Sequence, residues 1–188
     1  MMDMAITTTN VLGLADLEAM PDDGRRYELV GGAIVMTPAP APGHQLISVR
    51  LLRLLEEAGL PEGHTLFHAP IDLDLPGEQR VQPDLVVLPW SSVGEQRLVL
   101  PVLLVVEIVS AGSRTHDSVT KRAVYAEAGI PAYWLVNPTS GEITALRLDE
   151  HGNYLLVAQG ASVRLDWPMA INLDMAALTD RPLPPRPS

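Results

Sequence analysis

Cysteine is absent from the 188-residue sequence. That excludes disulfides, thiolate zinc sites and cysteine nucleophiles, and it is compatible with a reducing compartment. No apolar run reaches the ~18 residues that a membrane-spanning helix needs, and the opening Met1-Met2-Asp3-Met4 lacks the basic region of a signal peptide. A soluble, cytoplasmic chain is expected. Positive charge is scarce: 13 Lys and Arg against 23 Asp and Glu leave a formal charge of −10 and a pI near 4.8. That balance argues against a broad basic face for gripping nucleic acid, because neutralised phosphates supply much of such affinity. It leaves room for a local cleft with its own positive charge or metal ions.

What is present is apolar material, 47% of the residues. That is ample for the core of one domain, expected over residues 1–180. The tail Arg181-Pro-Leu-Pro-Pro-Arg-Pro-Ser188 is too rich in proline for regular structure and is expected to be disordered. A short helix is expected over Leu12 to Met20, ended by Pro21-Asp22-Asp23-Gly24. Tyr27-Glu28-Leu29-Val30 and Ala33-Ile34-Val35-Met36 flank Gly31-Gly32, a pair suited to a two-residue hairpin turn. No helix or Gly-x-x-Gly spacing follows that pair, so phosphate binding is set aside.

After a proline-rich stretch, apolar residues from Leu46 to Leu55 recur at helical spacing and stop at Gly59. Residues 65–75 and 81–88 read as strands, with Phe67, Ala69, Ile71, Leu73 and Leu75 alternating. Val102 to Val109, apolar apart from Glu107, reads as a central strand covered on both faces. A helix over Thr115 to Ala128, ended by Gly129, and strands at Ala132 to Val136, Glu142 to Leu148 and Tyr154 to Ala158 complete the pattern. The fold class is α/β or α+β: a mixed β-sheet flanked by helices, with an N-terminal β-hairpin.

Glu107 is the chemical anomaly of that central strand. An ionised carboxylate there costs several kcal/mol, roughly, unless a cation or hydrogen-bond donors compensate it. A structural ion pair with an arginine, or a strand-end carboxylate reaching water, is the plain alternative. Asp84 opens the preceding strand. If the connecting turn centres near residues 95 and 96, Asp84 lies across from Glu107, with Cβ atoms roughly 5 Å apart. Two carboxylates so close repel, and a shared divalent cation would neutralise them. Read alone, Pro83-Asp84 is equally a turn with a local hydrogen bond.

Of the 13 basic residues only Lys121 is a lysine. A compact ammonium can orient water or stabilise developing charge in a way that arginine's permanent fork does not; a solvated helix face is its bland alternative. Its helix aligns Asp117, Lys121 and Tyr125 at i, i+4 and i+8 on one face. His64 and His68 share a spacing that does not align side chains on a strand, and Ser110 and Ser113 have no evident histidine base, so zinc and serine-hydrolase chemistry are not expected.

These pieces together resemble the Uma-type restriction-endonuclease-like family within the PD-(D/E)XK nuclease superfamily. The resemblance spans about residues 24–175. It rests on Tyr27-Glu28-Leu29-Val30-Gly31-Gly32, Gly43-His44-Gln45, Gln82-Pro83-Asp84, Val106-Glu107-Ile108-Val109-Ser110, Asp117-x-x-x-Lys121-x-x-x-Tyr125 and Tyr133-Trp134-Leu135-Val136-Asn137-Pro138. The superfamily's usual lysine two residues after the glutamate is replaced by Val109. The resemblance implies that Lys121 supplies that charge from the adjacent helix. The chain departs from the family at Ser110-Ala111-Gly112-Ser113, where a proline usually follows the first serine.

The resemblance implies a catalytic centre of Asp84, Glu107 and Lys121, in which Asp84 and Glu107 bind Mg²⁺ or Mn²⁺. It also draws in Glu28 and His44 as accessory residues, beside Asp117 and Tyr125. Each of Glu28 and His44 has an ordinary alternative, as a hairpin-edge charge and a helix N-terminal residue. The implied activity is metal-dependent hydrolysis of DNA phosphodiesters by an endonuclease. A homodimer is expected because two active sites suit a duplex. A catalytically silent scaffold of the same fold, or a hydrolase of another phosphoester, are the rival readings.

Overall fold

The computed structural model describes residues 11–37, 39–109 and 115–180. The N-terminal helix is α1, Leu14–Glu18, shorter than the apolar pattern suggested because Gly13 caps it, its N–H donating to Asp16 Oδ2 at 2.8 Å. Strands β1 (Arg26–Val30) and β2 (Ala33–Thr37) form the expected hairpin. Gly31 and Gly32 take φ of 59° and 75°, the two positive values that such a turn demands. Helix α2, Pro42–Ala58, starts with proline and ends at Gly59.

The expected strand 65–75 is two strands. β3 (His64–His68) lies in one sheet and β4 (Leu73–Leu75) in another. Pro70, which has no N–H to give a ladder, falls between them. Alternation ran unbroken across the gap because Phe67, Ile71, Leu73 and Leu75 all enter one apolar core. The expected strand 81–88 divides likewise at Gln82-Pro83-Asp84, into β5 (Gln79–Val81) and β6 (Leu85–Pro89). β7 (Leu104–Ile108), α3 (Thr115–Glu127), β8 (Ala132–Asn137), β9 (Glu142–Leu148) and β10 (Tyr154–Gly160) follow close to expectation. Beyond them stand elements not anticipated: β11 (Ser162–Leu165), β12 (Ile171–Asp174) and α4 (Met175–Thr179), the last capped by Asp174.

A six-stranded sheet in the order β10-β9-β8-β7-β6-β3 forms the middle of the molecule. Only β7 and β8 run parallel, joined through the crossover helix α3. A four-stranded antiparallel sheet, β2-β1-β5-β4, and the β11–β12 pair complete a mixed α+β architecture. One face of the large sheet packs Leu85, Val87, Leu104, Val106 and Trp134 against Ile47, Leu51 and Leu55 of α2 and against α4. The other packs Val86, Val105 and Tyr133 against Val124 and Tyr125 of α3 and against Leu73, Leu75 and Val81 of the smaller sheet. Since side chains alternate along a strand, Glu107 shares the second face with Val105 and looks toward α3.

Leu51 is fully buried between α2 and the sheet. Leu51→Ala is expected to cost about 2–5 kcal/mol of stability through lost burial and the cavity left behind. Urea unfolding followed by circular dichroism measures it; a loss below about 0.5 kcal/mol, the level of an exposed substitution, would contradict the packing described.

Candidate active site

The register of β6 and β7 decides which side chains meet. Leu85 pairs with Val106 in an antiparallel ladder, so the same register carried one step further sets Asp84 opposite Glu107. Asp84 is buried, and its Oδ2 accepts the Ile108 N–H at 2.7 Å. That bond ties the carboxylate to the strand bearing Glu107. His44, in the first turn of α2, brings Nε2 to within 3.2 Å of the same oxygen.

Lys121 and Tyr125 reach Glu107 from α3, one turn apart on the same helix face. The Tyr125 hydroxyl donates to Glu107 Oε1 at 2.6 Å, and Lys121 Nζ stands 3.3 Å from that oxygen. The ammonium is shared with Glu28 Oε1 at 2.8 Å, while the Gln82 N–H donates to Glu28 at 2.6 Å. Glu28 is 1% exposed. It sits on β1, inside the smaller sheet between β2 and β5, and is no hairpin-edge charge. Six of the residues singled out in the sequence therefore converge: Glu28, His44, Asp84, Glu107, Lys121 and Tyr125. Asp117 lies in α3 one turn before Lys121, but its side chain falls outside the described part of the structure, as does the turn Ser110–Ser113. His64 and His68 occupy β3 and take no part.

Two contributions escaped sequence reasoning. The Gln82 main chain holds Glu28, a role that no side-chain identity announces. Arg26, whose charge is felt at the His44 ring, precedes Glu28 by two residues on the same strand; the alternation of β1 was the available signal.

The electrostatics follow from crowding in a dry place. Burial pushes the Glu107 carboxyl up to about 7; Lys121 works against this, and the charges of Asp84 and Glu28 add to it. Burial, then Glu107, hold the Tyr125 hydroxyl well above its ordinary range, so it remains a donor. The hydrogen bond between His44 and Asp84 raises the His44 pKa, with burial opposing. Among the described residues no three His, Asp or Glu side chains are grouped as a metal cage. A pair of opposed carboxylates nevertheless suits a hard, hydrated ion of the magnesium type, which keeps waters and takes further oxygen from substrate phosphates.

Between pH 4.5 and about 7 the folded protein holds a proton on Glu107 that the unfolded chain releases. Metal-free stability therefore falls as pH rises through that window. His44 acts in the same direction, since the stabilisation from a raised histidine pKa is complete below 6.5 and fades as pH climbs through the folded value. In chelator, the thermal midpoint is expected to drop from pH 5 to pH 8, and Glu107→Gln is expected to shrink the drop. An equal drop in both proteins would show that Glu107 is not the proton-binding group.

Comparisons with known proteins bear on the fold and the family. The crystal structure of "a putative nuclease belonging to DUF820 from Anabaena variabilis" superposes with a TM-score of 0.70 at 16% identity, covering 89% of this chain and 97% of the other. At that identity the likeness establishes the fold alone, the mixed α+β architecture described above. A search of curated proteins found no match. The model of the family described as "Uma2: Putative restriction endonuclease" matches residues 14–177, and the chain belongs to that family.

Proposed function

We propose that the chain is a Mg²⁺- or Mn²⁺-dependent endonuclease that hydrolyses DNA phosphodiester bonds at the Glu107 centre. The observation that carries this reading is the meeting of two opposed carboxylates, Asp84 and Glu107, with a lysine shared between Glu107 and Glu28. Asp84 and Glu107 would hold the ion, whose chemistry is to acidify water and neutralise charge on the reacting phosphoryl group. Asp84 is prepared for this by the Ile108 N–H, which fixes one oxygen. Glu107 is oriented by the Tyr125 hydroxyl.

Lys121, beside Glu107, would align the attacking water with the phosphorus. Its ammonium is held from behind by Glu28, itself anchored by the Gln82 N–H, so Nζ has little freedom to swing away. In hydrolysis, water oxygen forms the new bond to phosphorus, the bond to the leaving sugar oxygen breaks, and a proton passes to that oxygen or to solvent. Lys121 orients the water and stabilises the charge that builds on the phosphoryl oxygens. His44, hydrogen-bonded to Asp84, steadies the metal-side carboxylate from the start of α2.

We further propose a homodimer. Leu155, Leu156 and Val157 are 56%, 59% and 56% exposed on β10, the edge strand of the large sheet. A bulge interrupts the ladder there, so contact through these side chains suits a second copy better than a continued sheet.

Purified protein is expected to nick or cut duplex DNA with Mn²⁺ or Mg²⁺ and to stop in chelator. Asp84→Ala and Glu107→Ala are each expected to lower the rate by about 100-fold or more, and Lys121→Ala by about 100-fold to 10,000-fold. Activity persisting in both Asp84→Ala and Glu107→Ala refutes the assignment. The rival reading, a silent scaffold, predicts no cleavage and no Mn²⁺ uptake; calorimetric binding of Mn²⁺ that Asp84→Ala abolishes counts against it. Turnover of small phosphoesters without DNA cutting would instead identify a different phosphoesterase. Light scattering of Leu156→Arg is expected to give a monomer where the parent gives a dimer, and a monomeric parent would end the dimer proposal.

A further inference from the structure

Arg26 stands out among the cations of this chain. Each of the other enclosed or half-enclosed lysine and arginine side chains among the described residues has an acceptor. Arg50 donates to the Leu178 carbonyl, Arg80 pairs with Asp74 and Glu18, Arg97 pairs with the same two, and Lys121 pairs with Glu28 and Glu107. Among the described residues the Arg26 Nε is buried without a hydrogen-bond partner, and its guanidinium enters no ion pair. Its neighbour Arg25 is exposed and turns to Asp23 and the Met36 sulfur. A buried, unmatched guanidinium donor is costly, and native proteins keep few such groups without a use for them.

Its position suggests the use. Arg26 opens β1 two residues before Glu28, so both side chains leave the same face of the strand. Glu28 points to Lys121, and the Arg26 charge acts on His44, which is bonded to Asp84. The unpaired guanidinium therefore borders a centre holding three carboxylates, Glu28, Asp84 and Glu107. Such a centre in a protein of net charge −10 repels a polyanion unless cations are placed to receive it.

We propose that Arg26 is an anion site that takes a phosphodiester oxygen of the nucleic-acid substrate beside the Asp84–Glu107 pair. The inference rests on the nuclease reading for the identity of the substrate, but not for the existence of the site. The planar fork of a guanidinium matches two phosphate oxygens at once, and the buried Nε–H is one tine of that fork. Arg26 thus positions substrate through its phosphate, whereas Asp84, Glu107 and Lys121 act on the bond that breaks.

The test uses the full chain, Arg26→Gln and Arg26→Lys. In ¹⁵N-labelled protein without metal, the Arg26 Nε–H resonance, assigned by its loss in Arg26→Lys, is titrated with dimethyl phosphate and separately with inorganic phosphate. A saturable shift with dimethyl phosphate is expected. In Mn²⁺-dependent cleavage of a duplex, Arg26→Gln is expected to raise KM about tenfold or more with kcat within about twofold, and Arg26→Lys to fall between. Calorimetric Mn²⁺ binding and the thermal midpoint are expected to stay at parental values. A resonance unmoved by dimethyl phosphate overturns the proposal, as does a response to inorganic phosphate alone. A lowered thermal midpoint in Arg26→Gln with unchanged KM assigns Arg26 to structure and also overturns it. If the parent cuts no DNA yet dimethyl phosphate still moves the resonance, the nuclease reading falls and the anion site stands.

Discussion

The structure turns on one charged side chain in an apolar strand. Glu107 interrupts β7, whose flanking residues Val105, Val106 and Ile108 are buried. An ionised carboxylate there is tolerable only if other groups are built around it. The surroundings answer that demand: Tyr125 and Lys121 descend from α3, and Glu28 from the smaller sheet holds Lys121 in place. Two sheets and a helix are thereby committed to one polar contact within an otherwise apolar interface.

The compensation is deliberately incomplete in its charge. Lys121 serves two carboxylates, and Asp84 adds a third nearby, so negative charge stays in surplus; burial first, and then the charges of Asp84 and Glu28, hold Glu107 at about 7 rather than in the ordinary carboxylate range. A buried site with surplus carboxylate is poorly suited to stability and well suited to receiving a cation. The folding cost and the chemical capacity have a single origin.

Much of this was legible because residue types unusual for their places are visible without coordinates. Glu107 stood out against valine and isoleucine, Lys121 against a basic complement otherwise made of arginine, and the period of α3 aligned Lys121 with Tyr125. The pairing of Asp84 with Glu107 followed from a turn position alone, and the observed register, Leu85 with Val106, has that same centre. The single strands expected over 65–75 and 81–88 did not survive. Period-two alternation reports which face is buried, and both pieces of the first stretch bury the same face in the same core although they belong to different sheets. Prolines 70 and 83 carried the break.

The amino-acid sequence by itself determined the strand and helix types as far as β10, the hairpin at Gly31-Gly32 and the identity of the chemically unusual residues, because burial period, turn conformation and side-chain chemistry are local properties. Only the tertiary structure decided that Glu28 grips Lys121 across 93 positions of chain, that the Gln82 main chain holds Glu28, and that the Arg26 Nε is left without an acceptor among the described residues. Those are outcomes of how two sheets pack. Such contacts depend on distances between segments far apart in the chain, which no local pattern encodes.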